Sequence, residues 1–141
     1  MQHEYLEVFQ LWQLFCLQLL ARLDSHTCTS YQITAGRAPI VQPRDFVFVT
    51  REEEREGGVW MAGGVSINTA EFPPTSRYVR AWQYPGVMVA TPLADNKCVF
   101  TWLLQCEFGG FLTPAVLNIA LPYAVKLFCS SIKSEIKRRK K

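Results

Sequence analysis

The sequence predicts an α+β fold in which a curved antiparallel sheet grips one long C-terminal helix. Three observations predict it. Short runs rich in β-branched and aromatic residues recur from Cys28 to Phe108, separated by Gly, Pro and charged breaks. Lys97 to Phe108 alternates with a period of two, and the residues after Thr113 recur at helical spacing. Strands that come first and a helix that comes last place the helix against one face of the sheet.

The chain has 141 residues, enough for one domain with a real core. Hydrophobic residues make up 49% and aromatic residues 13%, which excludes disorder for the body of the chain. The net charge is +3, and six of the nine residues from Lys133 to Lys141 are Lys or Arg. Without that basic tail the body is not a polyelectrolyte, so a nucleic-acid partner is not expected.

Taken in order, residues 1–19 predict an apolar N-terminal helix. Glu4, Glu7, Gln18 and Arg22 fall on one narrow stripe at 100° per residue, leaving a broad apolar surface. Such a helix suits burial against a sheet, the preferred reading, or a place in a membrane interface. A basic leader and a small-residue cleavage site are both missing, which speaks against a signal peptide. Cys28 to Thr34 and Phe46 to Thr50 read as strands, broken by Ala35-Gly36 and Pro39. Arg51 to Gly58, REEEREGG, reads as a charged loop tip. Val59 to Asn68 resumes a strand, in which Gly63-Gly64 marks a bulge or a close backbone approach. Tyr78 to Tyr84 and Val87 to Leu93 flank Pro85-Gly86, which reads as a hairpin turn.

In the strand from Lys97 to Phe108, Cys98, Phe100, Trp102, Leu104, Cys106 and Phe108 make one apolar face. Gly109-Gly110 ends the sheet. Thr113 then caps a helix whose first residue is Pro114, where a missing N–H costs nothing. Its apolar stripe includes Leu117, Leu121, Ala124, Phe128 and Ile132, and Pro122 should bend it.

Nothing in the sequence signals an enzyme. There is no phosphate-cradling Gly loop and no Gly-x-Ser-x-Gly elbow. The two histidines, His3 and His26, lie near the N-terminus, and most carboxylates sit in the 51–58 run where solvent keeps them ordinary. No catalytic residue, cofactor or metal site is expected. The five cysteines are odd in number, widely spaced and without a CxxC pair, as expected of small apolar residues in a reducing, cytoplasmic compartment.

Two segments carry a family likeness. Ser30-Tyr31-Gln32-Ile33-Thr34-Ala35-Gly36 and Val41-Gln42-Pro43-Arg44-Asp45-Phe46-Val47 resemble the centre of a StAR-related lipid-transfer (START) domain. The match is to the steroidogenic acute regulatory protein-like branch of that family. Pro73-Pro74, Tyr78-Val79-Arg80, Thr101-Trp102-Leu103-Leu104 and Gly110-Phe111-Leu112 keep the family's order and spacing, and the likeness runs from about Leu20 to Ile136. It implies a helix-grip fold, a curved sheet closed by the C-terminal helix around a tunnel for one lipid. It further implies intracellular lipid binding and non-vesicular transfer of a sterol or similar lipid, with transient membrane contact.

By the same likeness Leu117, Leu121, Ala124, Phe128 and Ile132 form the helix wall of the pocket. The 51–58 run becomes part of its lip, while Arg44 and Asp45 hold the fold. The resemblance places Gln32 and Thr50 where sterol-binding members carry an acidic residue and an arginine. Both residues here are neutral, so no ion pair forms, but either side chain hydrogen-bonds a hydroxyl or a water. A sterol-sized ligand would bury roughly 300–400 Å² of apolar area, about 8–10 kcal/mol before the costs of association.

Residues 20–141 thus read as the C-terminal part of such a domain, ending in the basic tail 133–141, with 1–19 in place of the family's upstream elements. An incomplete sheet leaves an edge exposed, which opens a route to self-association. The alternative reading is an interaction or regulatory module whose pocket holds no lipid. In either case the basic tail is a contact for anionic membranes or a solvated helix end.

Overall fold

The computed structural model describes residues 14–34, 36, 41–94 and 96–139. Among the described residues nine strands precede one helix: β1 Leu14–Arg22, β2 Thr27–Thr34, β3 Arg44–Arg55, β4 Val59–Ser66, β5 Val79–Arg80, β6 Trp82–Gln83, β7 Gly86–Leu93, β8 Lys97–Leu103, β9 Cys106–Glu107 and α1 Pro114–Arg139. The main sheet runs β1-β2-β3-β4-β7-β8, with β5 beside the start of β3, and β6 pairs with β9 in a small second sheet. Every pairing is antiparallel except that of β5 with β3. The curved sheet and its C-terminal helix make the helix-grip fold expected above.

Residues 14–19 differ from the helix expected over residues 1–19. Leu14–Arg22 is a strand, paired with β2 from Leu14↔Thr34 to Arg22↔Cys28. Residues 1–13 lie outside the described residues. A short apolar run satisfies a helical stripe and a buried strand alike, and here the ladder along β2 decides between them. Its register slips between Leu14 and Cys16 and again between Leu19 and Ala21.

Two further expectations are corrected, and at Gly63-Gly64 one of two alternatives is selected. Arg51–Arg55 is not a loop: it extends β3 and pairs residue for residue with Val59–Gly63. Only Glu56–Gly58 turns, with Gly57 and Gly58 at φ of 74° and 72°, a left-handed conformation that favours glycine. Cross-strand pairing overrides the low strand propensity of consecutive glutamates. At Gly63-Gly64 the ladders to β3 and β7 run without a shift, so the pair marks a close approach and not a bulge. Pro85-Gly86 is not a hairpin either. Val79–Arg80 and Trp82–Gln83 pair with β3 and β9, while Gly86 itself opens β7 opposite Gly64.

The core lies along β3. Residues 44–48 are buried on both faces of the strand. Phe46 and Phe48 pack with Ala81 and the half-buried Cys106 and Phe108. Asp45, fully buried, accepts two hydrogen bonds from Arg80, Nε to Oδ1 at 3.0 Å and a second guanidinium nitrogen to Oδ2 at 2.9 Å. Tyr31 donates its hydroxyl to Oδ2 at 3.0 Å and packs its ring 5.2 Å from that of Phe72. Arg80 also donates to the Phe72 carbonyl. Both oxygens of the buried carboxylate are thus hydrogen-bonded, and a guanidinium faces them, which is what lets a charge stay inside. Burial and the neighbouring Asp45 push the Tyr31 phenol up to about 12.

Arg44, beside it, donates to the carbonyls of Phe108 at 3.3 Å and Gly109 at 3.4 Å, and also to that of Gln42. It thereby ties the segment that leads into α1 back to the centre of the sheet. Arg44 bonds backbone carbonyls, while Asp45 bonds the side chains of Arg80 and Tyr31.

Thr113 caps α1: its Oγ1 accepts from the N–H of Val116 at 3.4 Å, and its carbonyl from Leu117. The helix continues through Pro122, whose missing N–H leaves the Asn118 carbonyl without an intrahelical donor. By length and composition α1 would also suit a membrane span. Its one buried residue, Phe128, instead packs on β8.

Candidate functional site

The concave face of the sheet and the inner side of α1 enclose a cavity. Its space, counted out to its open mouth and including the solvent there, is about 760 Å³. The period of two decides what reaches it. On β3 the residues Phe46, Phe48 and Thr50 turn in, and on β2 Gln32 and Thr34 do. From the other side come Trp102, Leu104, Cys106 and Phe108, the apolar face that alternation marked in the sequence. The segment is not one strand, because β8 ends at Leu103 and β9 begins at Cys106, yet the alternation carries across the break.

Phe128 roofs the cavity. Its ring lies 4.9 Å from that of Trp102 and 6.2 Å from that of Phe100, tilted in both cases. The other helix residues singled out from the sequence, Leu117, Leu121, Ala124 and Ile132, share its half-buried side, while Ile119 and Tyr123 on the opposite side are 77% and 52% exposed. Those four flank the cavity without lining it; Phe128 alone of the five does.

Gln32 and Thr50 both line the cavity, but the register keeps them apart. Cys28 stands opposite Thr50 and Gln32 opposite Phe46, so four residues separate the two along the strands, about 13 Å. They are two separate polar points on one face and do not act on a single atom together. Sequence reasoning missed Gln83, which also lines the cavity. It lies in the two-residue strand β6, too short for any periodicity to reveal. Its N–H donates to Ser66 Oγ at 2.8 Å, and its side-chain Nε2 to the Gly64 carbonyl at 3.3 Å.

Among the described residues no charged side chain lines the cavity; the polar groups there are Gln32, Thr34, Thr50 and Gln83. Cys106 adds a neutral thiol, pushed up to about 11 by burial. Glu52 and Arg51, in the strand extension beyond Thr50, are not part of the lining. Burial raises the carboxyl of Glu52 above its ordinary value, with Arg22 and His26 opposing. Among the described residues no three of His, Cys, Asp or Glu gather where a metal would sit. Among the described residues the lining offers a shaped apolar surface with neutral polar groups, and no nucleophile stands beside a base in it.

Comparisons with known proteins agree with this geometry. Over 123 residues the chain is 31% identical to the steroidogenic acute regulatory protein, mitochondrial, of Mesocricetus auratus, covering 85% of this chain and 43% of that protein. It is 28% identical over 122 residues to StAR-related lipid transfer protein 6 of Homo sapiens, covering 84% and 56%. The chain thus spans about half the length of these curated relatives. Among solved structures, human StAR-related lipid transfer protein 5 superposes with a TM-score of 0.84 at 20% identity, over 92% of this chain and 64% of that one, a likeness of fold. The START domain family model matches residues 3–136, beginning well upstream of Leu20. With most of its length matched, the chain belongs to the START domain family.

Proposed function

We propose that this chain binds one uncharged lipid, a sterol or a lipid of similar size, in the cavity beneath α1 and carries it between membranes. One observation carries the reading: a concave space under α1 whose lining, among the described residues, is aromatic and aliphatic with no charged side chain. An anionic or zwitterionic headgroup inside it would lose its hydration without an ionic partner, at a cost of several kcal/mol. Hydrocarbon gains about 25 cal/mol for each Å² removed from water. Names of its relatives that speak of lipid transfer support the same reading.

In this proposal Phe128 contacts the ligand directly, and Leu117, Leu121, Ala124 and Ile132 form the helix side that closes over it. Gln32 and Thr50 offer neutral hydrogen bonds. A cytoplasmic carrier must touch membranes to load and unload. The exposed apolar residues Phe111, Ile119 and Tyr123, with Lys126, Lys133 and Lys137 on the same helix, suit a transient contact with an anionic bilayer.

A second reading is favoured by β8. Among the described residues no strand pairs with its outer edge, and Val99, Phe100 and Leu103 are 49%, 39% and 60% exposed. An open edge of this kind pairs with another strand, so an interaction module that holds no lipid competes with the carrier. Native mass spectrometry of the purified chain, followed by lipid extraction, separates the two. One lipid per chain is expected. An empty chain that runs as an oligomer sinks the carrier reading.

A further inference from the structure

Among the described residues the main sheet ends on β1 at one side and on β8 at the other, and the two edges differ. The ladder of β1 along β2 slips twice, and Gln18 and Arg22 stand exposed along it. Such breaks and polar side chains spoil an edge for further pairing. β8 instead pairs with β7 through its whole length, from Val87↔Leu103 to Leu93↔Lys97, without a shift. It contains no Gly or Pro, and its one charged residue, Lys97, stands at its first position. None of the devices that blunt an edge lies within it.

β8 also lacks cover on its faces. Six of its seven residues are exposed, and only Trp102 is half-buried. Phe100 and Trp102 turn inward to Phe128, and alternation sends Cys98 the same way. Val99, Thr101 and Leu103 take the outer face. An unbroken edge with apolar side chains exposed on both faces is a template for another strand.

We propose that β8 pairs with β8 of a second copy of this chain, antiparallel about a two-fold axis through Phe100. The proposal goes beyond lipid binding and stands whether or not the cavity is filled. The order of residues in β8 selects this partner. In that register Phe100 stands opposite Phe100, Val99 opposite Thr101, Cys98 opposite Trp102 and Lys97 opposite Leu103. An aromatic pair at the centre with β-branched pairs beside it is a favourable cross-strand set. The two lysines lie six residues apart along the strands, about 20 Å, so no like charges oppose. A strand that pairs with itself closes at two copies, whereas β8 on β1 would repeat into a filament, and the breaks in β1 oppose that.

The area sets the strength. Val99, Phe100 and Leu103 each retain about half of a side-chain surface of roughly 150–200 Å², which makes about 250 Å² per copy. Doubled, and with the edge backbone added, this stays below the about 1,200 Å² of a stable interface. The dimer is therefore a reversible one, with a dissociation constant on the order of 10 µM.

Sedimentation of the full chain between about 1 and 200 µM tests this, with half-dimerisation expected on the order of 10 µM. Val99→Lys places a charge on the edge where the folded chain already exposes its side chain, and should weaken association at least about 10-fold. Leu19→Lys makes the same change on β1 and should leave association as it was. Register is read by mixing Val99→Cys chains with Thr101→Cys chains, both carrying Cys98→Ser. Directly opposite Cβ atoms lie about 4.5–5.5 Å apart, so mild oxidation should link residue 99 to residue 101 between copies, while neither chain alone links at these positions. A chain that stays monomeric throughout overturns the proposal. Slow amide exchange over Lys97–Leu103 in that monomer would mean that the chain covers the edge itself, and fast exchange that the edge stays bare. Association lost with Leu19→Lys but kept with Val99→Lys overturns it too, as does growth beyond two copies. Each of these failures leaves the carrier reading standing, and an empty cavity leaves the dimer standing.

Discussion

Replacing Phe128 by alanine tests how α1 is held on the sheet. Phe128 is 2% exposed and is the only buried residue among the 26 of the helix. Removing a buried phenylalanine costs about 3–5 kcal/mol in lost burial and cavity formation. Of that, its contacts with Trp102 and Phe100 account for about 0.5–1.5 kcal/mol each. A domain of ordinary stability has only about 5–15 kcal/mol in all. The loss should concentrate on the docking of the helix, since no other α1 side chain is as deeply held.

Urea unfolding followed by tryptophan fluorescence is the first assay, because Trp102 reports on the contact directly. A decrease of about 3 kcal/mol is expected. Amide exchange along Pro114–Arg139 should quicken about 100-fold, which corresponds to about 2.7 kcal/mol of easier opening. Ile119→Ala, on the exposed side of the same helix, is the control and should stay within about 0.5 kcal/mol. A Phe128→Ala chain within 1 kcal/mol of the parent, with unchanged helix exchange, would refute the idea that one ring anchors α1.

Two more perturbations address the polar core and its response to pH. Asp45→Leu strands the Arg80 guanidinium and should cost about 3–5 kcal/mol, whereas Asp45→Leu with Arg80→Leu should cost less than the single change; a double loss equal to the sum of the Asp45→Leu and Arg80→Leu losses would show that the pair is not coupled. Tyr31, at about 12, and Cys106, at about 11, both hold their protons in the folded chain beyond their ordinary values of 10.0 and 9.0. The unfolded chain releases those protons first, so this contribution is complete below about pH 9 and is lost as pH rises to about 12. Denaturant midpoints should fall across that window, and Tyr31→Phe should flatten its upper part; midpoints that stay level from pH 8 to pH 11.5 would contradict both assignments.

Legibility in the sequence followed the strength of the local signal. The inner side of α1 was readable because Leu117, Leu121, Ala124, Phe128 and Ile132 repeat at a spacing that only one helix face satisfies. The inward residues from Trp102 to Phe108 were readable for the matching reason in a strand. Leu14–Arg22 was not, since its apolar run fits either geometry until β2 lies beside it. Arg51–Arg55 was hidden by its charge, because strand formation there comes from pairing with Val59–Gly63 and not from its own residues.

Gln83 had no signal of its own. Its place in the site depends on contacts with Gly64 and Ser66, nearly twenty residues back in the chain. The nearest clue was the glycine pair at 63–64, which marked a close approach without saying what approached.

The arrangement of strands also sets where chain entropy is spent during folding. β1, β2, β3 and β4 are neighbours both in sequence and in the sheet, so each joins the last by closing a short loop. The contacts that complete the cavity are of another kind. Arg44 reaches the Phe108 and Gly109 carbonyls across 64 and 65 residues, and Trp82 meets Glu107 only after β7 and β8 have been threaded between them. The long closures thus fall on the segment that delivers α1 to its seat. A chain that has formed its first four strands has a sheet but no container, and its binding space exists only once the far end of the sequence has been brought home.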